Sequence, residues 1–81
     1  MELNQTINLM ESDNYQDRFK AEYMQLLIRL EKLKAMMYKW EKGTLEFTPT
    51  CPKRAFDLQI QAMDNYLTIL EIRAKLENIP F

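Results

Sequence analysis

Thr48, Thr50, Cys51, Lys53 and Arg54 fall around the point where Pro49 and Pro52 set up the start of a helix. The first backbone N–H groups of a helix lack intrahelical acceptors and attract anions. Cations in a first turn oppose the helix dipole, so Lys53 and Arg54 there invite a reason. The chemistry such a group can do is to hold a phosphate. The plain alternative is that both cations are solvated or pair with acidic residues of a neighbour. A second group is Tyr15, Phe19 and Tyr23 with Arg18 and Lys20 between them. Aromatic rings interleaved with cations are suited to stacking bases while neutralising phosphates. Phe19 and Tyr23 also lie on the main apolar seam and read as core, which leaves Tyr15 as the freer ring. The ligand-binding candidates are thus Tyr15, Arg18, Thr50, Lys53 and Arg54.

Catalytic chemistry finds little footing. The chain has no histidine and one cysteine, so the Ser-His and Cys-His pairs and a structural zinc site lack their ligands. A Glu-x-x-His carboxylate metal motif is equally impossible. The single glycine rules out glycine-rich phosphate loops. Glu31 with Lys34 and Asp17 with Lys20 read as ordinary i,i+3 surface pairs. No catalytic residue, metal or cofactor is expected, and the chain reads as a non-enzyme. Cys51 reads as a small buried hydrophobe or a helix cap.

The elements that must position these residues follow from apolar spacing. Phe19, Tyr23, Leu26, Leu30, Leu33, Met37 and Trp40 step by four and three, with no Gly or Pro among them. Phe56, Ile60, Met63, Leu67, Leu70 and Ala74 repeat those steps. Each set makes one stripe on an α-helix. Leu3, Ile7 and Met10 do the same on a smaller scale. The reading is an all-α single domain over 1–81. It has a short helix at about 2–11, a long helix at about 14–42, a connector at 43–51 and a second long helix at about 52–77. The two long helices form an antiparallel hairpin. Asp13 with Gln16 resembles a capping box, with Ser12 the alternative cap. Gly43 suits a left-handed C-terminal position, and Lys39 and Lys42 suit the last turn. Cys51 is the expected N-cap of the second long helix with Pro52 at its first position, Thr50 being the alternative. Asn78 and Pro80 should stop it. Leu45 and Phe47 should fold back over the hairpin end. In such a hairpin Tyr15 and Lys53 lie far apart within one chain and can meet only across subunits.

Both long helices are more apolar than a hairpin requires. Met24, Ile28, Ala35 and Tyr38 form a second stripe on the first, interrupted by Glu31. Ala55, Ala62, Tyr66, Ile69 and Leu76 do so on the second, while Leu58 and Ile72 lie outside both stripes. A hairpin this small buries one seam per helix and needs a third element or a second copy. Either the N-terminal helix covers the extra stripe, or the chain assembles into a homo-oligomeric helical bundle. The self-association candidates are Met24, Ile28, Tyr38, Tyr66, Ile69 and Leu76. Six methionines suit adaptable packing in either place.

Eleven basic and twelve acidic side chains nearly cancel, to −1. Duplex DNA, which asks for a basic excess, is therefore not an expected partner. No segment approaches the ~20 apolar residues of a membrane span, and the first ten residues carry no basic run of a signal peptide. One unpaired cysteine fits a reducing compartment. A soluble cytoplasmic protein is expected.

Three stretches carry a resemblance: Arg18 to Tyr23 with Gln25 and Leu26, then Thr48 to Pro52, then Gln61 to Leu67. Together they resemble small helical proteins encoded by phages and prophages of Gram-positive bacteria, over most of the chain from Tyr15 onward. The second long helix, with Leu58, Gln59, Ala62, Met63 and Leu67, is also similar to the closing helix of phage anti-CBASS sponge proteins. Those resemble compact helical oligomers that sequester cyclic oligonucleotide immune signals without hydrolysing them. Where the sponge pattern has Gly-Tyr-Arg, this chain has Asn14, Tyr15 and Gln16, so only Tyr15 carries over as a ligand contact. The resemblance implies sequestration of a cyclic oligonucleotide between subunits, in the host bacterial cytoplasm, to counter anti-phage defence. Two alternatives stay open. One is a helical inhibitor of a host defence protein, for example a nuclease, presenting Met24, Ile28 and Tyr38. The other is a structural or regulatory phage protein.

Overall fold

The computed structural model describes residues 2–80, and the secondary structure among them is helical. The chain opens with a 3-10 turn, Leu3–Thr6, that runs straight into a one-turn helix, α1, Ile7–Met10. The Glu2 amide donates to the Gln5 carboxamide at 2.7 Å, and the Thr6 hydroxyl donates to the Leu3 carbonyl at 2.6 Å. These i,i+3 contacts tighten the first turn into 3-10 geometry.

The long helix α2, Tyr15–Lys42, starts at Asn14, whose side chain accepts from the Gln16 amide at 2.8 Å. The cap is therefore neither Asp13 nor Ser12. Ser12 instead donates its hydroxyl to Asp17 at 2.8 Å and accepts the Asn14 amide at 3.1 Å, which fixes the entry into the helix. At the far end Gly43 is left-handed, φ 73°. Its amide reaches the Trp40 carbonyl at 3.1 Å and the Thr44 amide reaches the Lys39 carbonyl at 2.9 Å, the paired bonds of a Schellman motif.

The second long helix, α3, spans Lys53–Leu76. Pro52 is its N-cap, with φ −68° and ψ 154°, and Cys51 is an exposed residue ahead of it. A proline at the cap offers no side-chain acceptor to the first turn. Asn78 takes the left-handed position after α3, φ 56°. The Ile79 amide then bonds the Ala74 carbonyl at 2.8 Å, and Ile79 is drawn into the core. The residues read as a stop signal thus form a second Schellman closure with its usual apolar contact.

α2 and α3 pack antiparallel around Phe19, Leu26, Leu70, Ala74 and Ile79, with Tyr23, Met63 and Leu67 against them. Leu70 is fully buried. Polar contacts rung the hairpin along its length: Tyr23 to Glu71 at 3.1 Å, Tyr66 to Glu22, and Lys34 to Asp64 at 3.2 Å. Lys34 therefore pairs across the hairpin rather than with Glu31. Leu45 is half-buried but Phe47 stays 59% exposed, so the connector does not fold back as a lid.

The N-terminal segment lies on another side of α2. Gln25 donates to the buried Thr6 hydroxyl at 2.9 Å, and Lys32 pairs with Glu2 at 3.2 Å. Gln25, Ile28 and Lys32 share one helical face. Ile28 is 6% exposed beneath this segment, so it packs within the chain and is no part of an open surface. Of the second stripe on α2, then, Ile28 is buried and Met24 half-buried, while Ala35 and Tyr38 stay exposed. Among the described residues no helix is long and apolar enough to cross a membrane.

Candidate functional site

The fold sorts the candidate ligand residues to opposite ends of the hairpin. Tyr15 and Arg18 sit where α2 begins. Thr50, Lys53 and Arg54 sit where α3 begins. Twenty-four residues of α3 separate the two ends, which is about 36 Å of helix.

At the first end the candidates are engaged in the fold. The Tyr15 hydroxyl donates to Glu77 at 2.9 Å and accepts from the Arg73 guanidinium at 3.0 Å. Arg73 also pairs with Glu77 at 3.4 Å and lies 5.0 Å over the Phe19 ring, which meets Tyr15 at 6.2 Å. This Tyr–Arg–Glu latch ties the start of α2 to the end of α3. The Arg18 guanidinium donates to the Ser12 carbonyl at 2.8 Å. Tyr15 remains 46% exposed although its hydroxyl is committed.

The other end is different in character. The Lys53 ammonium lies 5.0 Å over the Trp40 ring, and Trp40 meets Phe56 edge-on at 6.2 Å. The Lys42 ammonium lies 5.5 Å over Tyr38. Lys39, Thr44, Leu45, Glu46 and Phe47 line an open hollow beside them. Four cations, Lys39, Lys42, Lys53 and Arg54, lie in the last turn of α2 and the first turn of α3. Glu41, Glu46 and Asp57 are the acidic residues of the same end, which leaves an excess of one positive charge there. Lys53 and Arg54 take no acidic partner among the described residues; the aromatic platform holds Lys53. No side chain caps α3; the Ala55 amide bonds the Pro52 carbonyl at 3.0 Å, and the Lys53 and Arg54 amides take no side-chain acceptor. Thr48, Thr50 and Cys51 are exposed just ahead of α3. Cations on aromatic faces next to uncapped helix amides make an anion site with stacking surfaces at hand. Trp40, Tyr38, Lys42 and Phe47 were not among the ligand candidates. Trp40 reads as seam and Phe47 as a lid; the packing of α2 against α3 brings Trp40 under Lys53.

A model of the Sequestin family matches residues 13–76. The chain belongs to the Sequestin family. The matched span takes in α2, the connector and α3, and so both ends of the hairpin with their clusters. It leaves the 3-10 turn and α1 outside. No curated protein and no solved structure matches the chain.

The self-association candidates also separate. Met24 is half-buried beside Leu27 and Glu31 in a shallow hollow, and Ile28 is covered. Tyr38, Tyr66, Ile69 and Leu76 are open, at 62%, 43%, 53% and 78% exposed. Leu58 and Ile72, assigned to neither stripe from spacing, are 51% and 52% exposed. The open apolar surface therefore lies chiefly on α3.

Proposed function

We propose that this Sequestin is a non-enzymatic protein that binds and sequesters a cyclic oligonucleotide signal. The observation that carries the proposal is the connector end. Lys53 rests on Trp40 at 5.0 Å, with Arg54 next to it in the first turn of α3 and a second cation–ring pair, Lys42 on Tyr38, in the last turn of α2. A cyclic oligonucleotide presents phosphates and bases, and this end offers cations and aromatic faces. Lys53 and Arg54 would meet phosphate together with the first amides of α3, and the rings would stack bases. Membership of a family whose name denotes sequestering supports holding rather than converting the ligand. The sequence likeness to phage sponge proteins supports an anti-defence role in the cytoplasm of an infected bacterium. In an oligomer, the exposed Tyr15 of one copy can be brought to the Lys53 cluster of another.

The test is titration calorimetry with a panel of cyclic di- and trinucleotides, followed by chromatography of the released ligand. Saturable binding and an unchanged ligand are expected. No heat at high micromolar ligand overturns the proposal, and a converted ligand overturns its non-enzymatic part. One observation favours a second reading. The open apolar face of α3, with Leu58, Ile69, Ile72 and Leu76, is suited to a helix-in-groove inhibitor of a host protein. Retention of a single host protein on wild-type chain, with no nucleotide binding, would favour it.

A further inference from the structure

Leu58, Ala62, Asn65, Ile69, Ile72 and Leu76 step by four, three, four, three and four along α3. This is an unbroken heptad seam of a and d positions. It lies on the face of α3 turned away from the Leu70 and Ala74 core. Its four large members are 51–78% exposed. Contiguous apolar surface of this kind on a small chain marks an interaction site.

We propose that this seam pairs α3 with α3 of a second copy, in antiparallel orientation. The spacing identifies the occupant, because a heptad stripe is complementary to another helix carrying the same repeat. Aligned antiparallel about its centre, the seam sets Leu58 against Leu76 of the second copy, Ala62 against Ile72 and Asn65 against Ile69. Small meets large in the second layer, and every apolar member but Ile69, which faces Asn65, meets an apolar partner. A slide of one heptad strands Leu58 or Leu76. Asn65 confines the pairing to the centre: the two amides lie about one turn apart, each opposite Ile69 of the other copy and near its Thr68, and a lone polar seam residue fixes register.

Charge selects the orientation. The flanks are Gln59, Tyr66 and Arg73 on one side and Gln61, Thr68 and Lys75 on the other. Parallel pairing would bring Arg73 and Lys75 of both copies to one end. Antiparallel pairing sets them beside Gln59 and Gln61 and opposes the two helix dipoles. A two-helix seam of this length buries on the order of 1,000 Å² over both copies, at the threshold for a specific interface. The arrangement also sets the Tyr15 end of one copy alongside the Lys53 end of the other. That last consequence bears on the ligand site and rests on the function proposed above; the pairing itself does not.

Sedimentation equilibrium without nucleotide tests the pairing at micromolar concentration. Wild type should sediment as a dimer or an even multiple of one. Ile69→Glu with Ile72→Glu should sediment as half that mass with its helical circular dichroism intact, since both side chains are open in the single chain. Leu76→Glu is the second variant if the first fails to fold. A monomeric wild type, or an assembly unchanged in the variants, overturns the proposal. Orientation is read by disulfide cross-linking in a Cys51→Ser background. Leu58→Cys with Leu76→Cys should cross-link two copies where neither single variant does. Cross-linking by Leu58→Cys alone would overturn the antiparallel arrangement. Calorimetry on the same variants is a separate readout, so failure of ligand binding and failure of pairing are told apart.

Discussion

Single side chains set the limits of stability here. Tyr23 donates to Glu71 at 3.1 Å, and its phenol is pushed above the usual tyrosine value of 10.0 by burial first and by that carboxylate second. A raised folded-state pKa means that the stabilisation is fully present below pH 10.0 and is lost as pH rises through the folded value. Denaturant midpoints should thus stay level on this account through neutral pH and fall above pH 10. Tyr23→Phe should remove part of the alkaline fall, at a cost of about 0.5–1.5 kcal/mol for the hydrogen bond at neutral pH. A fall of equal size in the variant would show that another group is responsible. Gly43 makes a separate case. A Cβ added there meets nothing within 4 Å, so only its φ of 73° resists substitution. Gly43→Ala should cost about 1–2 kcal/mol by urea unfolding. Gly43→Asn should cost less, because asparagine tolerates the left-handed region, as Asn78 does at the end of α3.

At the scale of elements, the chain divides one job between its N-terminus and α3. The 3-10 turn and α1 pack on the part of α2 around Ile28, held by the Gln25 to Thr6 bond and the Lys32 to Glu2 pair, and leave Ala35 and Tyr38 open. Deleting the segment returns Ile28 to water. It should cost at least about 1.5–3 kcal/mol, the burial of one aliphatic side chain, in a chemical denaturation curve. A deletion without effect would mean that α2 finds other cover. Much of this level was legible beforehand. The four-three spacing of Phe19 to Trp40 and of Phe56 to Ala74 gave two long helices because those residues are the ones that meet across the hairpin. The caps were less legible. Asn14 rather than Asp13, and Pro52 rather than Cys51, became caps because capping depends on the dihedrals of the flanking residue, which spacing does not encode. The α3 seam was split for a related reason. Leu58 and Ile72 join Ile69 and Leu76 only once it is known which side of α3 the core occupies. The Tyr15 latch was hidden altogether, since its partners Arg73 and Glu77 lie at the other end of the sequence.

For the whole molecule, the distribution of charge matters more than its sum. Lys39, Lys42, Lys53 and Arg54 outnumber Glu41, Glu46 and Asp57 by one at the connector end of the hairpin, while Glu11, Asp13, Asp17 and Glu77 balance Arg18, Lys20, Arg73 and Lys75 at the other. The overall balance of −1 conceals this, which is why composition spoke only against duplex DNA. Nucleotide affinity should fall with added salt. Lys53→Glu with Arg54→Glu should lower it by tenfold or more, since a hydrogen bond to a charged group contributes about 1.5–3 kcal/mol. The same pair of changes should move thermal unfolding little, because losing the Lys53 contact with Trp40 is offset by placing acidic residues in the first turn of α3. The measurement that bears most directly on sequestration is native mass spectrometry of the protein with a cyclic trinucleotide added. The predicted spectrum shows an even number of copies carrying intact ligand, with the bound fraction lost in the Lys53 and Arg54 charge-reversal variant. A bare monomer at every ligand concentration would contradict the account.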